Sequence, residues 1–260
     1  VSFPRNIAWG VRKENSEKLH SELNRWIASN KGTTSFALLY AKYFKNPRSG
    51  LIVKSDYYTL LTGRISRYDD LIKKASDEIN WDWRLLASLI YQESRFNPRV
   101  ESHAGAYGLM QVLPLTGNNL GVDVTSSPAE NVRAGAMYIK WLQKFFESRI
   151  PDENERIKFV LASYNAGYGH ILDAMKLAEK NGMDPQKWDG NVALWLLKKR
   201  DPRYYKDPDV TSGYFRGTES VNYVSEILER FGHYKNNIPA EGLPEVSVVP
   251  YGFYRGYSAD

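Results

Sequence analysis

The sequence has no cysteine among its 260 residues, which excludes a disulfide framework, thiol catalysis and any cysteine-ligated metal centre. Its four histidines are scattered along the chain and show no metal-ligand spacing. No apolar run approaches the length of about 18 residues that a membrane-spanning helix needs. We therefore expect neither a metal ion nor a cofactor in this protein.

Charge of one sign is not concentrated in any part of the chain. The sequence has 35 Lys and Arg residues against 30 Asp and Glu residues, for a net charge of +5, and the two signs are interleaved throughout. A nucleic-acid interface normally requires a clustered basic stripe, so we expect no nucleic-acid partner. The modest basic excess leaves attraction to an anionic surface or an acidic cell-wall polymer open.

Aromatic residues, by contrast, are abundant. The chain contains 7 Trp, 18 Tyr and 10 Phe residues, which is 13% of its length. Aromatic surfaces serve sugars, nucleobases and a large hydrophobic core equally well, so composition alone does not choose among them.

The chain is organised in three parts. Residues 1–45 read as a strand at 5–12 with apolar residues in alternation, followed by two helices around 19–27 and 36–43. Residues 46–63 contain Pro and Gly without a helical stripe, which indicates a linker. Residues 64–260 hold one amphipathic helix after another with no alternation of strands and helices, which predicts a compact all-α domain and a tail.

Several helix boundaries can be predicted in this third part. The capping patterns Ser66-x-x-Asp69 and Ser127-Pro128-x-Glu130 predict helix starts, and so does Asp152 with Glu155. An apolar helix from Trp81 should end at Asn97-Pro98, because a residue before proline is disfavoured in helical conformation. Further helices are predicted at about 168–180, 190–199 and 218–231.

Glu93 is the most informative residue of the apolar helix. At about 100° per residue it lies on the same face as Leu86, Leu89 and Ile90. Burial disfavours the charged form of a carboxyl, so Glu93 is placed to stay protonated near neutral pH, as a general acid for glycosidic bond cleavage must be. The alternative is a glutamate in the last helical turn that reaches solvent or pairs with a neighbour such as Arg95.

Two other segments are weak motifs when taken singly. The segment 105–112 has two glycines three residues apart and a Gln111 amide beside apolar Met110, which is most often a loop entering a helix. The segment 163–167 ends a helix with Tyr164 and Asn165 before Gly167, which is a common helix terminus.

Taken in order, these segments resemble the four motifs of the family 1 lytic transglycosylases. The matching residues are Glu93-Ser94, Gly108-Leu109-Met110-Gln111, Tyr164-Asn165 and Tyr223-Val224. The family consists of lysozyme-like all-α enzymes that cut peptidoglycan between N-acetylmuramic acid and N-acetylglucosamine. The resemblance therefore implies a lysozyme-like catalytic domain over residues 64–260 and peptidoglycan glycan strands as its partner.

Segments 165–174 and 214–217 are similar to the membrane-bound F branch of that family, which fuses a periplasmic solute-binding-like domain to the catalytic one. The resemblance implies that residues 1–45 are the C-terminal fragment of such a domain, whose ligand would be a muropeptide or another small molecule. It further implies a periplasmic protein attached to the outer membrane through an upstream anchor. Two departures are Ser163, where the family usually has alanine, and the lack of a lipobox cysteine.

The resemblance also implies a mechanism with one carboxyl. Ordinary glycosidases use two carboxylates, whereas the motifs here supply only Glu93. In the family, a single glutamate protonates the leaving oxygen and then takes the proton of the C6 hydroxyl of the muramoyl residue, which attacks its own anomeric carbon. The product is a 1,6-anhydromuramoyl end.

Six supporting positions carry roles that the resemblance implies. Ser94 would orient the substrate or Glu93, Gln111 would bind the acetamido region of the sugar, and Met110 would line the apolar wall of the groove. Tyr164 and Asn165 would contact the reacting sugar. Tyr223 would donate a hydrogen bond to the carboxyl of Glu93, and no metal would take part.

Two other functions remain open at this point. A goose-type lysozyme-like hydrolase would use water in place of the C6 hydroxyl and would leave reducing ends. A non-catalytic module that binds peptidoglycan or muropeptides would need no acid on an apolar helix face.

Overall fold

The computed structural model describes residues 16–31 and 64–238, and the chain divides into two compact units, Val1–Tyr58 and Thr59–Asp260. In the first unit, helix α1 covers Glu17–Lys31 and confirms the helix predicted around 19–27. The strand at 5–12, the helix at 36–43, the linker and the tail after 238 lie outside the described residues. The domain boundaries at 45 and 63 therefore stay predictions.

The described part of the second unit is made of helices and turns. Its helices are α2 (Asp69–Glu78), α3 (Trp83–Ser94), α4 (Pro114–Asn119), α5 (Pro128–Glu147), α6 (Glu153–Ala166), α7 (Tyr168–Lys180), α8 (Ala193–Lys198), α9 (Pro202–Tyr205) and α10 (Thr218–Asn237). Tyr107 forms isolated bridges with Glu101 and Val112, and residues 64–238 contain no sheet. The predicted all-α class is confirmed for residues 64–238.

None of the helices in the described ranges combines the length and the apolar character that crossing a membrane would require.

Side-chain caps set two of the predicted helix starts. Ser127 Oγ accepts the backbone N–H of Glu130 at 3.1 Å ahead of α5, and Asp152 Oδ1 accepts the N–H of Asn154 at 2.9 Å ahead of α6. Such a cap contributes about 1 kcal/mol by satisfying a backbone donor that has no partner within the helix. Both predicted starts are confirmed.

The predicted start at Ser66 needs a correction. Asp69 Oδ1 accepts both the backbone N–H and the hydroxyl of Ser66, at 2.7 and 3.0 Å, and Asp69 Oδ2 accepts the N–H of Ile65. These bonds close a turn before the helix, so α2 begins at Asp69.

The predicted end of the apolar helix was also wrong. Helix α3 ends at Ser94, because Arg95 and Phe96 adopt left-handed conformations with φ of 51° and 60°. The chain therefore leaves the helix before the proline at 98 can restrict it.

Two later helices differ from their predicted ranges at the ends. Helix α8 begins at Ala193, after an irregular turn in which Gly190 has φ of 69°. Helix α10 begins at Thr218 as predicted and continues to Asn237, beyond the expected end at 231. Helix α7 has the predicted range of 168–180.

Most residues of helix α3 are buried in the core. Its Leu86, Leu89 and Ile90 are fully buried, and each such side chain contributes about 1.5–3 kcal/mol through its removal from water. Helix α3 packs against α10, α10 packs against α6, and α6 packs against α5. Helix α10 therefore lies between the helix that carries Glu93 and the helix that carries Tyr164.

Candidate active site

Glu93 in the last turn of α3 meets Tyr223 of α10. The Tyr223 hydroxyl donates a hydrogen bond to Glu93 Oε1. Arg95, the alternative partner considered for Glu93, is exposed. Within residues 16–31 and 64–238, Glu93 takes part in no ion pair, so its carboxyl has a neutral phenol as its partner.

The surroundings of Glu93 raise the pKa of its carboxyl to about 7. Burial is the largest cause, since it disfavours the charged form. The hydrogen bond from Tyr223 acts in the opposite direction, and the negative charge of Glu219 raises the pKa further. Near neutral pH, both the protonated and the ionised carboxyl are therefore populated.

Tyr223 itself remains a hydrogen-bond donor. Burial, followed by the charge of Glu93, raises the pKa of the Tyr223 phenol well above its usual value. The same two causes raise the pKa of Tyr164. Glu93 is thus electrostatically coupled to both phenols, which stay protonated around it.

Ser94 connects α3 to the segment after it. Its buried hydroxyl donates to the backbone carbonyl of Leu109 at 2.8 Å and to that of Ile90 at 3.2 Å. The hydroxyl therefore fixes the 108–111 turn to the helix end that carries Glu93.

The 108–111 turn depends on a glycine and a strained glutamine. Gly108 has φ of 78°, and a Cβ at this position would lie 2.5 Å from Asn131 Nδ2, so any side chain would both strain the backbone and displace Asn131. Gln111 has φ of 48°, and its Nε2 donates to the carbonyls of Val100 and Gly108 at 2.9 and 3.0 Å. The glutamine amide thus holds the loop in which it lies.

Asn131 is a supporting residue that the sequence analysis missed. It is buried on α5, where its Oδ1 accepts the N–H of Met110 at 2.9 Å and its Nδ2 donates to the carbonyls of Tyr107 and Val124 at 2.7 and 3.0 Å. An asparagine on the apolar face of a predicted helix was the available signal, because a buried amide requires partners.

Met110 contributes its backbone to the site and its side chain to the core. The side chain is fully buried, and a Cβ added to Gly135 of α5 would lie 2.4 Å from its Sδ. The Met110 carbonyl accepts a hydrogen bond from the Tyr164 hydroxyl at 2.8 Å. The turn and the end of α6 are therefore connected directly.

Asn165 is held by a second residue that the sequence analysis missed. Ser220 is fully buried on α10, and its hydroxyl donates to Asn165 Oδ1 at 2.6 Å. Glu219, also missed, precedes Tyr223 by four residues, which places both on one face of α10. Helix α10 therefore reaches Glu93 through Tyr223 and Asn165 through Ser220.

A row of aromatic rings leads away from Tyr164. The Tyr138 ring lies 5.5 Å from that of Tyr164 and 6.0 Å from that of Trp141, and the Trp141 ring lies 5.3 Å from that of Tyr168 and 5.4 Å from that of Phe145, measured between centroids. Trp141 and Tyr168 are 43% and 42% exposed. We call Tyr138, Trp141, Phe145 and Tyr168 the aromatic row. The sequence analysis did not single out its members.

The carboxyl of Asp173 on α7 is fully buried and lies in a different environment from that of Glu93. Its Oδ2 accepts from Lys199 Nζ at 2.5 Å and from the N–H of Ser212 at 2.8 Å, and its Oδ1 accepts from the N–H of Thr211 at 2.9 Å. Burial acts to raise the pKa of Asp173, but these hydrogen bonds outweigh it and the pKa is lowered. His170 Nδ1 lies 2.8 Å from Lys199 Nζ.

Among the described residues, no group of three or more His, Cys, Asp or Glu side chains is arranged to hold a metal ion.

Comparison with known proteins gives consistent results. Residues 70–186 match the family model of the transglycosylase SLT domain. The chain is 38% identical over 235 residues to the membrane-bound lytic murein transglycosylase F of Desulfosudis oleivorans, covering 88% of this chain and 50% of that protein. It is 36% identical over 224 residues to the protein of the same name from Shewanella loihica, covering 85% of this chain and 45% of that protein.

Solved structures give weaker matches. The lytic transglycosylase Slt of Pseudomonas aeruginosa is 19% identical with a TM-score of 0.46, covering 86% of this chain and 34% of that chain. The chain spans about half the length of the curated relatives that it matches. The residues that match the transglycosylase SLT domain model contain three of the four ordered motifs, and the fourth, Tyr223-Val224, lies beyond them.

Proposed function

We propose that this chain carries the catalytic domain of a peptidoglycan lytic transglycosylase, which cleaves the β-1,4 bond between N-acetylmuramic acid and N-acetylglucosamine. The observation that carries the proposal is the carboxyl of Glu93, which has a pKa of about 7 and a neutral phenol as its partner. A general acid with a pKa near the working pH combines the correct protonation state with a strong tendency to transfer its proton. The names of the two relatives support the same activity.

In the proposed mechanism, protonated Glu93 donates its proton to the glycosidic oxygen as the bond from that oxygen to C1 breaks. The resulting carboxylate accepts the proton of the C6 hydroxyl, and the C6 oxygen forms a bond to C1 of the same sugar. Glu93 ends protonated, no water is consumed, and the product carries a 1,6-anhydro ring. A second carboxylate is unnecessary, because the nucleophile is tethered to the carbon that it attacks.

Tyr223 supports both steps of this mechanism. Its hydrogen bond stabilises the carboxylate form of Glu93 that exists between the two proton transfers. Because the pKa of the phenol is raised well above its usual value, Tyr223 does not itself lose a proton. We therefore assign Glu93 as the acid and base and Tyr223 as its hydrogen-bond donor.

The remaining predicted residues form the sugar-binding part of the proposal. Gln111 would bind the acetamido region of the sugar through its Oε1, because its Nε2 already donates to two backbone carbonyls. Asn165 would contact the reacting sugar through its Nδ2, because its Oδ1 accepts from Ser220. Tyr164 would contact the reacting sugar. Ser94 and Met110 would act through the 108–111 turn, which the Ser94 hydroxyl and the Met110 carbonyl connect to the helices on either side.

We extend the proposal to the whole chain as follows. Residues 1–45 would be the end of a solute-binding-like domain that takes a muropeptide or another small molecule, residues 46–63 a linker, and residues 64–260 the catalytic domain. The protein would act in the periplasm at the outer membrane, as the words "membrane-bound" and "murein" in the names of its relatives suggest.

A water-using hydrolase is the second candidate, and one observation favours it. The negative charge of Glu219 raises the pKa of Glu93. A second carboxylate therefore interacts electrostatically with the catalytic carboxyl. If Glu219 activates water, the variant Glu219→Gln should lose turnover, and the unmodified protein should leave reducing ends. If our proposal holds, Glu219→Gln should keep turnover and still form anhydro products.

The test is digestion of purified peptidoglycan followed by mass analysis of the muropeptides. We expect ends lighter by one water than reducing ends, and reducing ends alone would overturn the transglycosylase proposal. Glu93→Gln should be inactive. A matched control is Glu179→Gln, which makes the same chemical change at an exposed position of α7. Absence of turnover in the unmodified chain would favour a binding module.

A further inference from the structure

A half-buried arginine of α10, Arg230, contacts the helical turn of α3 that leads directly to Glu93. Its Nη1 donates hydrogen bonds to the backbone carbonyl of Ser88 at 3.3 Å and to Gln92 Oε1 at 3.1 Å. Its Cζ lies 4.3 Å from the centroid of the Tyr91 ring. One side chain of α10 therefore contacts the backbone, an amide and an aromatic ring of the same turn.

The Gln92 amide is held from both ends by α10. Its Nε2 donates to Glu226 Oε2 at 2.9 Å, while its Oε1 accepts from Arg230. Tyr223, Glu226 and Arg230 follow one another at spacings of three and four residues, which places them along one side of α10. The same side of α10 thus binds Gln92 through two residues and the next residue of α3, Glu93, through Tyr223.

Arg230 has no charged partner of its own. Within residues 16–31 and 64–238, no carboxylate forms an ion pair with it, whereas the buried Arg84 pairs with Asp82 at 2.5 Å. Burial lowers the pKa of the Arg230 guanidinium, and the charges of Glu226 and Glu229 act in the opposite direction. A cation removed from water without an ion pair costs stability, so helix packing alone does not explain an arginine at this position.

Arg230 is also coupled to the hydrogen-bond donor of Glu93. Burial raises the pKa of the Tyr223 phenol most, and Glu93 and Tyr164 raise it further, whereas the positive charge of Arg230 acts to lower it. A more acidic phenol donates a stronger hydrogen bond to a carboxylate. Among the described residues, the charge that shifts the pKa of Glu93 directly is that of Glu219. The charge of Arg230 therefore acts on Glu93 through Tyr223.

We propose that Arg230 is a positioning residue for the reaction at Glu93. It holds the last turns of α3 against α10, so that the carboxyl of Glu93 meets the hydroxyl of Tyr223. This inference rests on the proposed function and adds to it a residue that acts through α3 and through Tyr223. A guanidinium suits this position because its planar group donates several hydrogen bonds while it stacks on a ring, which an ammonium does not do.

The first test is kinetic. Arg230→Met keeps the aliphatic part of the side chain and removes the guanidinium. We expect kcat on purified peptidoglycan to fall about tenfold, because a carboxyl that is no longer held in place leaves its reactive geometry. KM should stay within about twofold, because the sugar-binding side chains are unchanged.

The matched control is Arg67→Met, which makes the same chemical change at an exposed arginine ahead of α2. The Arg67 guanidinium also lies over a tyrosine ring, that of Tyr68, at 4.8 Å from its centroid. We expect kcat and KM of this control to equal those of the unmodified protein.

The pKa of Glu93 separates positioning from a general loss of stability. In Arg230→Met the bond from Tyr223 weakens, so the pKa of Glu93, measured by ¹³C NMR of its carboxyl, should rise, and the alkaline limb of kcat/KM should move to higher pH. In a Tyr223→Phe background the same substitution should leave that pKa unchanged, because the bond through which Arg230 acts is absent. Arg230→Lys retains the charge and should reverse most of the pKa shift but recover only part of kcat.

A second variant, Gln92→Met, keeps the cation and removes its bond to the amide, so it tests the same contact if Arg230→Met does not fold. It should lower kcat in the same way but by less. A lower Tm with unchanged kcat and unchanged pKa of Glu93 would overturn the inference, and so would a pKa shift that persists in the Tyr223→Phe background. A protein whose Glu93 responds as expected but which cuts no peptidoglycan would refute the proposed function alone.

Discussion

Glu93, which is half-buried, and Asp173, which is fully buried, are both carboxyls of the helical unit, yet their surroundings drive their pKa values in opposite directions. Asp173 accepts hydrogen bonds from the Lys199 amine and from two backbone N–H groups, and its pKa is lowered. Glu93 accepts one hydrogen bond from a neutral phenol, has the negative charge of Glu219 nearby, and has its pKa raised to about 7.

The difference shows how one fold assigns two roles to the same functional group. A cation and two backbone N–H donors stabilise the buried negative charge of Asp173 and keep it ionised. Its hydrogen bonds also fix the 211–212 segment ahead of α10. At Glu93, one phenol does not offset the cost of ionising the carboxyl, so Glu93 can exchange a proton near neutral pH. Asp173, whose negative charge is stabilised, therefore has a structural role, and Glu93, whose negative charge is not, is expected to have a chemical role.

The largest effect should come from removing the proton of Glu93. Glu93→Gln keeps the shape of the side chain and eliminates the acid, so we expect turnover of peptidoglycan to fall at least by the factor of about 10²–10⁴ that general acid catalysis supplies. Far-ultraviolet circular dichroism should be unchanged. Turnover within tenfold of the unmodified protein would remove Glu93 from the mechanism.

Removing the partner of Asp173 should affect stability rather than chemistry. Lys199→Met leaves a buried carboxylate without its cation, which typically costs about 3–5 kcal/mol, so Tm should fall by several degrees. The double variant Asp173→Asn with Lys199→Met removes both charges and should recover part of that loss. An unchanged Tm in Lys199→Met would mean that the pair does not hold the segment ahead of α10.

The pH dependence of turnover should respond to the neighbours of Glu93. Because the acid must start protonated, kcat/KM of the unmodified protein should fall as pH rises through about 7. Tyr223→Phe removes the hydrogen bond that lowers the pKa, so the alkaline limb should move to higher pH. Glu219→Gln removes the like charge that raises the pKa, so the limb should move to lower pH.

The measurement is kcat/KM across a pH series for the unmodified protein, for Tyr223→Phe and for Glu219→Gln. Shifts of both variants in the same direction would contradict the assignment of the two neighbours, whatever happens to the maximal rate.

The smallest effect should come from Ser163, next to Tyr164. Its Oγ is buried and, in the part of the chain that is described, has no hydrogen-bond partner. An unsatisfied buried hydroxyl costs about 1–3 kcal/mol, so Ser163→Ala should keep or raise Tm and leave turnover unchanged. A clear fall in Tm would show that the hydroxyl has a role that this geometry does not account for.

The features that could be predicted from the sequence are those that depend on short-range patterns of residues. The caps at Ser127 and Asp152 follow from short-range hydrogen bonding, and the position of Glu93 on the apolar face of α3 follows from helical periodicity. Both could be predicted because the interactions that decide them lie within one or two helical turns.

Contacts between distant segments could not be predicted from such patterns. The bond from Ser220 to Asn165 has no local signature, because only the packing of helices brings the two segments together. The position of Asn131 on an apolar helix face indicates that its amide needs partners, but it does not indicate that the 108–111 turn supplies them. The expectation that Tyr223 meets Glu93 came from the family resemblance and not from spacing. The early end of α3 was missed because nothing in the residue types of Arg95 and Phe96 favours a left-handed conformation.

The central claim is that Glu93 exchanges its proton near neutral pH while Asp173 stays ionised. A titration of the side-chain carboxyl signals by ¹³C NMR, in the unmodified protein and in Glu93→Gln, tests it most directly. We expect one carboxyl to titrate near pH 7 and to be missing in the variant, while the signal assigned to Asp173 stays in its ionised position down to the most acidic pH at which the protein is folded. If the Glu93 carboxyl instead titrates near 4.5, the ordinary value for glutamate, the account is wrong.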